Sequence, residues 1–564
     1  MTSKRACRLL GLILTLSLLL AGCQAPSGAP ESGTAAPTAG AATPEPNTNG
    51  SEASADALAE HLTLTANVRN AEVQGADALW DYFAEKFNVT IELIPMSFNE
   101  RHEKARIWVS SGDMPDLLWM DLDEKMFAEY ANWVRQGMFK AYPADIAEKY
   151  PNIGTEYGLE VNVGDELMTI DGALYAHPAI RGNPEYDFMS GMSWVYRRDW
   201  AKAVGLYKEG DLYTWDEFVA LNEAFVKQDP GGNGPGKTIG MGTEIFYFPH
   251  AFGIYQTSAE FGYGSFSPKD GKYVWTTARH ETLEGLKIAK DLYDRGIIWP
   301  DNPLGQAPDD QFKAGLMGSD FNNFDQGRLD SCRKALQENF PEIDPFEAMD
   351  YAFVVGPDGT LWCKQSQCYW GAVCMSAKLS DEKAARWLTM LDWMLSDEGK
   401  YFRMYGIPGK DYSIENGSLT CLWPQSEIYA DLQADPYPQN VRQWYMDYSG
   451  GVSAQVVPNV STPKQTIADA NAKFQYLKDK GFMRAFDYAS SYLSAPSKDA
   501  SGNFTTETSD KMIELLTTVS ADQLETEWTN WLASMEEKVQ PVLDELNSMI
   551  ADVPTEAAPK VFVP

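Results

Sequence analysis

The chain has 564 residues, 44% of them apolar and 12% aromatic, which is ample for sizeable cores and excludes a disordered or fibrous protein. Lys and Arg number 46 against 80 Asp and Glu, a net charge of −34. That balance is opposite to the basic footprint that phosphate backbones attract, so nucleic acid is excluded as an expected partner.

Taken in chain order, the first residues form an export signal. Lys4, Arg5 and Arg8 precede the apolar stretch 9–20 and the small residues Ala21 and Gly22. The apolar core is too short to span the roughly 30 Å hydrocarbon layer, and no later stretch approaches the 18 apolar residues of a membrane helix. Leu20-Ala21-Gly22-Cys23 resembles the bacterial lipobox, which implies cleavage after residue 22 and acylation of Cys23. Residues 23–57 are Ala, Pro, Gly, Ser, Thr, Glu and Asn with almost no large apolar side chain, the composition of a flexible tether. Loss of residues 1–22 removes three cations, leaving the mature chain at −37. With Cys7 removed and Cys23 acylated, five cysteines are left, Cys332, Cys363, Cys368, Cys374 and Cys421. The odd count argues against a complete disulfide framework, and C-x4-C-x5-C matches no usual zinc spacing, so buried free thiols are expected, with Cys363 and Cys368 the pair that could bridge.

The folded part begins with alternating strand and helix patterns. Residues 62–68, 89–94 and 116–120 read as strands, and 75–87 and 100–110 as helices. Such alternation predicts parallel strands covered by helices, hence an α/β lobe. A hairpin is expected over 167–176, turning at Asp171-Gly172. The pattern restarts at Ser193 with a strand over 194–196, a helix over 199–204, and a helix capped by Thr214 and Glu217 as a capping box. Further expected elements are a helix over 281–295 stopped by Gly296, strands over 351–355 and 371–375, and a helix over 381–395. From about Ser461 the chain reads as mostly helical, with Leu515, Leu516, Leu524, Trp528, Trp531, Leu532, Met535 and Val539 on core faces.

Several of these stretches together resemble family 1 extracellular solute-binding proteins, above all the long lipoproteins that feed oligosaccharide importers. The carriers are Ser111-Gly112-Asp113-Met114-Pro115-Asp116-Leu117 and Asp171-Gly172-Ala173-Leu174-Tyr175-Ala176-His177-Pro178 in the first lobe. In the second they are Val195-Tyr196-Arg197-Arg198-Asp199-Trp200, Thr214-Trp215-Asp216-Glu217-Phe218 and Leu292-Tyr293-Asp294-Arg295-Gly296-Ile297-Ile298, with Asp397-Glu398-Gly399 closing the series. The resemblance implies a two-lobed, periplasmic-binding-protein-like α/β fold whose hinge the chain crosses more than once, near Trp194, over 362–372 and over 405–409. Expected lobes are 58–192 with 366–406, and 193–365 with 407–564. It also implies an oligosaccharide ligand held between the lobes, ABC permease subunits as partners, attachment to the bilayer through Cys23, and a monomer on the extracytoplasmic face.

No H-E-x-x-H occurs: His102-Glu103 is followed by Arg106 and His280-Glu281 by Glu284. No Walker loop and no G-x-S-x-G elbow are present, and the glycine-rich run 231–236 follows no strand. No cofactor is expected and no enzyme. The rival readings are a surface glycan-degrading enzyme and a ligand-sensing module for a membrane kinase. Family members often carry a calcium-binding loop where this chain has Asp229 to Lys237; Asp229 and Asn233 match, but Gly231 and Lys237 stand where oxygen ligands are needed, so a metal-free turn is expected.

The 17 Trp, 27 Tyr and 25 Phe point to sugar, because flat rings cover the apolar faces of a pyranose while Asp, Asn and Arg bind its hydroxyl rim. Candidates at strand ends and crossings are Trp119, Trp194, Asp320, Phe321, Asn322, Asn323 and Trp370; Trp215, Trp387 and Trp393 fall on helices and belong to cores. The acidic chain further predicts an uncharged or cationic glycan, since Arg197-Arg198 is the only compact basic group near a crossing.

Overall fold

A computed structural model describes residues 58–69, 78–97, 100–122, 126–157, 168–180, 189–191, 193–242, 248, 252, 266–301, 308–321, 324, 326–365, 369–415, 418–422, 428–429, 437, 444–445, 447–450, 462–480, 483–486, 497, 504–552 and 560–562. Cys23, the tether, Asn322, Asn323 and Cys368 lie outside these, as do the side chains of Trp370 and Cys363.

The first lobe is built on β1 (Leu62–Arg69), β2 (Val89–Met96) and β3 (Leu117–Met120), parallel and joined by the helices Ala78–Phe87 and Arg101–Ser111. To these the chain adds β4 (Phe139–Lys140), the expected hairpin of β5 (Thr169–Ile170) and β6 (Ala173–Leu174), and β7 (Ala176–Ile180). The hairpin turns on two residues of positive φ, Asp171 at 52° and Gly172 at 86°, which is why an Asp-Gly pair sits there. A short strand, β8 (Met189–Gly191), then leads with one intervening residue into the second lobe.

The second sheet consists of β9 (Ser193–Arg197), β10 (Leu212–Thr214), β11 (Ile239–Gly242), β14 (Met317–Phe321) and β15 (Met349–Val355), in the order β10-β15-β9-β14-β11. A separate hairpin, β12 (Phe266–Lys269) with β13 (Lys272–Trp275), packs on the long C-terminal helix Ala521–Ser548. The capping box forms: Thr214 N donates to Glu217 Oε2 at 2.9 Å and Glu217 N to Thr214 Oγ1 at 3.4 Å. Gly296, at φ 68°, ends the helix His280–Asp294 as expected.

The chain leaves this lobe through β16 (Trp362–Gln365) and re-enters the first sheet as β17 (Tyr369–Ser376), between β3 and β4. β8 and β16 pair antiparallel, and β16 also pairs with β20 (Met483–Phe486), which carries β21 (Lys560–Phe562) on its edge. The two linkers thus pair side by side in a four-stranded sheet of order β21-β20-β16-β8, with β8 at its edge. β17 and β9, the strands that enter from the linkers, run antiparallel to the rest of their sheets. This has a geometric cause. A strand arriving from the linker starts at the edge nearest it, so its amino end lies among the carboxyl ends of the parallel strands.

Side chains alternate strictly in the first sheet. Leu117, Trp119, Val373 and Met375 face one core, with Trp387 and Leu391 of the helix Asp381–Leu395; Leu118, Met120, Ala372 and Cys374 face the other. Trp215, Trp387 and Trp393 pack in cores as their helical positions imply. Cys332 and Cys374 are buried and Cys421 is partly buried. One expectation needs correction. The residues after 407 were assigned to the second lobe, but Tyr437, Trp444, Tyr445 and Tyr448 lie in the first-lobe core beside Phe83 and Trp387. Between them and the hairpin of β18 (Tyr412–Glu415) and β19 (Ser418–Cys421), Tyr429 stacks on Phe346 and reaches Asp330 in the second lobe. The chain therefore passes between the lobes more often after residue 405 than the motifs indicated, because rings scattered among Pro, Gly and Asn give no period to read.

Candidate functional site

In open α/β sheets ligands bind outside the carboxyl ends of the parallel strands. Here both sheets place those ends within a few residues of the β8–β16 pair, so the two edges meet the linker together.

In the first lobe, β1 ends in Arg69, whose Nε donates to Asp447 Oδ1 at 2.9 Å; both side chains are almost fully buried. The guanidinium lies 4.5 Å from the centre of the Trp119 ring, and the opposite neighbour of that ring is Gly371, where an added Cβ would sit 2.3 Å from indole atoms. Trp119 is consequently 1% exposed. Its backbone is held by Asn67, which donates from Nδ2 to Trp119 O and accepts from Trp119 N, each at 2.8 Å. Tyr448 adds a donation to Asn67 Oδ1 at 3.1 Å. The residue after β3, Asp121, accepts from Arg101 Nε at 2.8 Å, and His102 Nε2 lies 3.7 Å from the same oxygen. Sequence reasoning missed these charged groups; a charge closing a strand, as in Arg69 and Asp121, was the available signal.

In the second lobe, Trp194 of β9 and Phe321 of β14 are directly paired across the ladder, with ring centres 5.2 Å apart, and Phe218 packs on Trp194 at 5.1 Å. Trp194 is 1% exposed, Phe321 half-buried. The indole N–H of Trp194 has no acceptor among the described residues. Asp320 points to the other face, where Arg328 bonds it. The structure therefore brings Trp194 and Phe321 together and separates Asp320 from them. Trp370 has its backbone in β17 of the other sheet, as Trp119 has in β3.

Behind the second edge, Arg198 bridges Asp211 and Asp350, Lys473 bonds Asp211, and the Tyr196 hydroxyl donates to Asp211. Burial raises the Asp350 carboxyl; at Asp211 burial is outweighed by Lys473 and Arg198, which hold it below the usual carboxylate range. Arg197 lies 4.5 Å over the Trp200 ring and pairs with Asp199. Both arginines are thus structural.

The Asp229 loop closes on itself. Asp229, at φ 48°, accepts from Asn233 N at 3.0 Å, from Gly234 N at 2.9 Å and from the Thr238 hydroxyl. These donors lower its carboxyl pKa, Thr238 most. Asn233 spends its amide on Thr238 Oγ1 at 3.1 Å. A carboxylate already facing three N–H and O–H hydrogens is turned away from metal-ligand geometry, so the residues present fit a turn rather than a calcium loop.

Comparison with known proteins decides the family. A model of the bacterial extracellular solute-binding proteins matches residues 78–406, more than half the chain. The chain belongs to that family. Among curated relatives it is 29% identical over 208 residues to the fructooligosaccharide ABC transporter substrate-binding protein FusA of Streptococcus pneumoniae, covering 35% of this chain and 37% of the relative. It is 26% identical over 247 residues to the lipoprotein LipO of Bacillus subtilis, covering 40% and 45%. The matched part thus spans less than half the length of either relative. Among solved structures, this solute-binding protein is similar to the alginate-binding protein AlgQ2 without calcium ion, with a TM-score of 0.61 at 15% identity, over 88% of this chain and 99% of that one. That likeness establishes a shared two-lobed fold. Among the described residues no helix is long and apolar enough to cross a membrane.

Proposed function

We propose that the protein is the lipid-anchored, non-enzymatic substrate-binding subunit of an ABC importer, acting as a monomer that captures an uncharged oligosaccharide between its lobes. The observation that carries this is the convergence of both sets of strand ends on the paired linkers β8 and β16, in a member of the solute-binding family. Bending at those linkers would close the two edges over a ligand, and the closed form is what a permease would recognise. Phe321, half-buried at its strand end, is the ring offered to the sugar, with Asn322 and Asn323 following it in sequence and Trp370 at the opposing sheet. Trp119 and Trp194, each 1% exposed, support the contacting layer from beneath.

An uncharged ligand fits the first edge because both of its arginines are already neutralised, Arg69 by Asp447 and Arg101 by Asp121. Calorimetry with fructooligosaccharides, other neutral oligosaccharides and uronic-acid oligomers at low and high salt tests the reading; the streptococcal relative's name puts fructooligosaccharides first. Neutral sugars should bind with little salt dependence. Tight, salt-sensitive binding of uronates alone would overturn it. Anchoring is tested separately: Cys23→Ala should release the protein from the membrane fraction, and retention equal to the parent would refute the acyl anchor.

A further inference from the structure

The linker ladder is braced from one side. β16 pairs along both flanks, with β8 from Cys363↔Gly191 to Gln365↔Met189 and with β20 from Trp362↔Met483 to Lys364↔Ala485. Three of the four strands in that sheet are then fastened to the second lobe. β8 is separated by one residue from β9. The turn before β16 is closed by Gly356 N donating to Thr360 O at 2.8 Å and by Trp362 Nε1 donating to Asp358 Oδ2 at 2.9 Å, and Leu361 packs on the core that holds Phe353, Phe474 and Leu477. The last two lie on the helix Lys464–Lys480, which leads into β20. That helix is pinned twice more, by Arg333 pairing with its Asp469 at 2.7 Å and by its Lys473 on Asp211.

The first-lobe side is built differently. There the ladder of β7 with β17 ends at Ile180↔Tyr369, and the ladder of β8 with β16 begins at Met189↔Gln365, on the same two stretches of chain. Between these paired ends lie eight residues on one stretch, 181–188, and three on the other, 366–368. Strand pairing advances by one residue on each side, so eight cannot match three and the ribbon loses register there. Bending within β16 would break ladder bonds on both its flanks, whereas a turn at the loss of register disturbs neither ladder. We infer that the four-stranded linker sheet is a rigid part of the second lobe, and that the lobes turn about a pivot on the first-lobe side of Met189 and Gln365. The inference rests on the closure proposed above and narrows where that motion is taken up.

Residual dipolar couplings, measured on the purified protein in a dilute aligning medium without ligand, report which lobe each backbone amide turns with. Couplings from β16 and β20 should fit the alignment tensor of the second sheet and misfit that of the first. A staple tests the same point from the other direction. Ser190→Cys with Lys364→Cys, in a Cys363→Ser and Cys368→Ser background, joins directly paired positions of β8 and β16. Oxidised or reduced, this variant should keep the parent's difference between the two lobe tensors, because the staple stiffens strands that do not bend. Linker couplings that follow the first-lobe tensor or fit neither would overturn the assignment, as would collapse of the tensor difference on oxidation. A single tensor for both lobes of the parent would overturn it as well, by removing the lobe motion. No sugar enters the measurement, so a calorimetric failure to bind oligosaccharides and a failure of the pivot remain separate results.

Discussion

The two strand-end edges are made of different material. The first is an assembly of compensated charges, Arg69 with Asp447 and Arg101 with Asp121, clamping one tryptophan between a guanidinium and a glycine. The second is a cluster of rings, Trp194 with Phe321 and Phe218, whose one polar atom makes no bond among the described residues. Equal burial of Trp119 and Trp194 therefore hides unequal commitment: one ring is fixed by partners on several sides, whereas the other is held by packing and keeps a donor in reserve. What the contrast teaches is that exposure does not rank residues for function; unspent hydrogen-bonding capacity separates them better.

The comparison breaks most easily at Asp447. Its replacement by Ala removes the carboxylate that faces the buried Arg69 guanidinium and should destabilise the first lobe by about 3–5 kcal/mol in chemical unfolding. A loss below ~1 kcal/mol would show the pair to be expendable. Next comes Gly371→Ala, where the new methyl must push the Trp119 ring aside. Overpacking of this kind costs about 1–3 kcal/mol, and a quenching or shift of tryptophan emission should accompany it.

A smaller effect sharpens the contrast from the second lobe, where Asp330 forms no ion pair among the described residues. It accepts from the Tyr429 hydroxyl at 2.9 Å, and burial pushes its carboxyl up to about 6. The unfolded carboxyl ionises near 3.9, so between about pH 4 and 6 the folded protein holds the extra proton. Stability should fall as pH rises through that window and stay lower above it. Asp330→Asn should flatten the dependence and stabilise the protein at pH 7.5 by on the order of 1 kcal/mol; melting temperatures from pH 4 to 8 for both proteins decide this. Smallest of all, Trp194→Phe removes an unbonded N–H along with part of a ring, and should cost less than about 1.5 kcal/mol. A larger loss would mean that the donor is engaged after all.

Most of the fold was legible wherever local chemistry is periodic. Strands β1, β2, β3, β9, β15 and β17, the Asp171-Gly172 turn, the Thr214 cap and the Gly296 stop follow from neighbours in sequence, whereas the short β4, β7, β10, β11 and β14 were not read. What escaped depends on distant partners: β20 and β21 against the linker, the return of Trp444 to the first core, and the antiparallel entry of β17. For the candidate site residues, position was legible and state was not. Strand ends pointed to Trp119, Trp194 and Phe321, yet only the coordinates show that Gly371 and Arg69 enclose the first, and that Asp320 turns away from the others.

The placement of β17 has a kinetic corollary. It must insert between β3 and β4, some 250 residues earlier in the chain, and Tyr448, later still, bonds Asn67 of β1. Loop closure over such separations is slow, and the first sheet cannot be completed on a nascent chain that stops short of these residues. This topology delays completion of the first sheet until most of the chain has been made, so the late strand sets when the lobe can fold as well as forming a piece of its sheet.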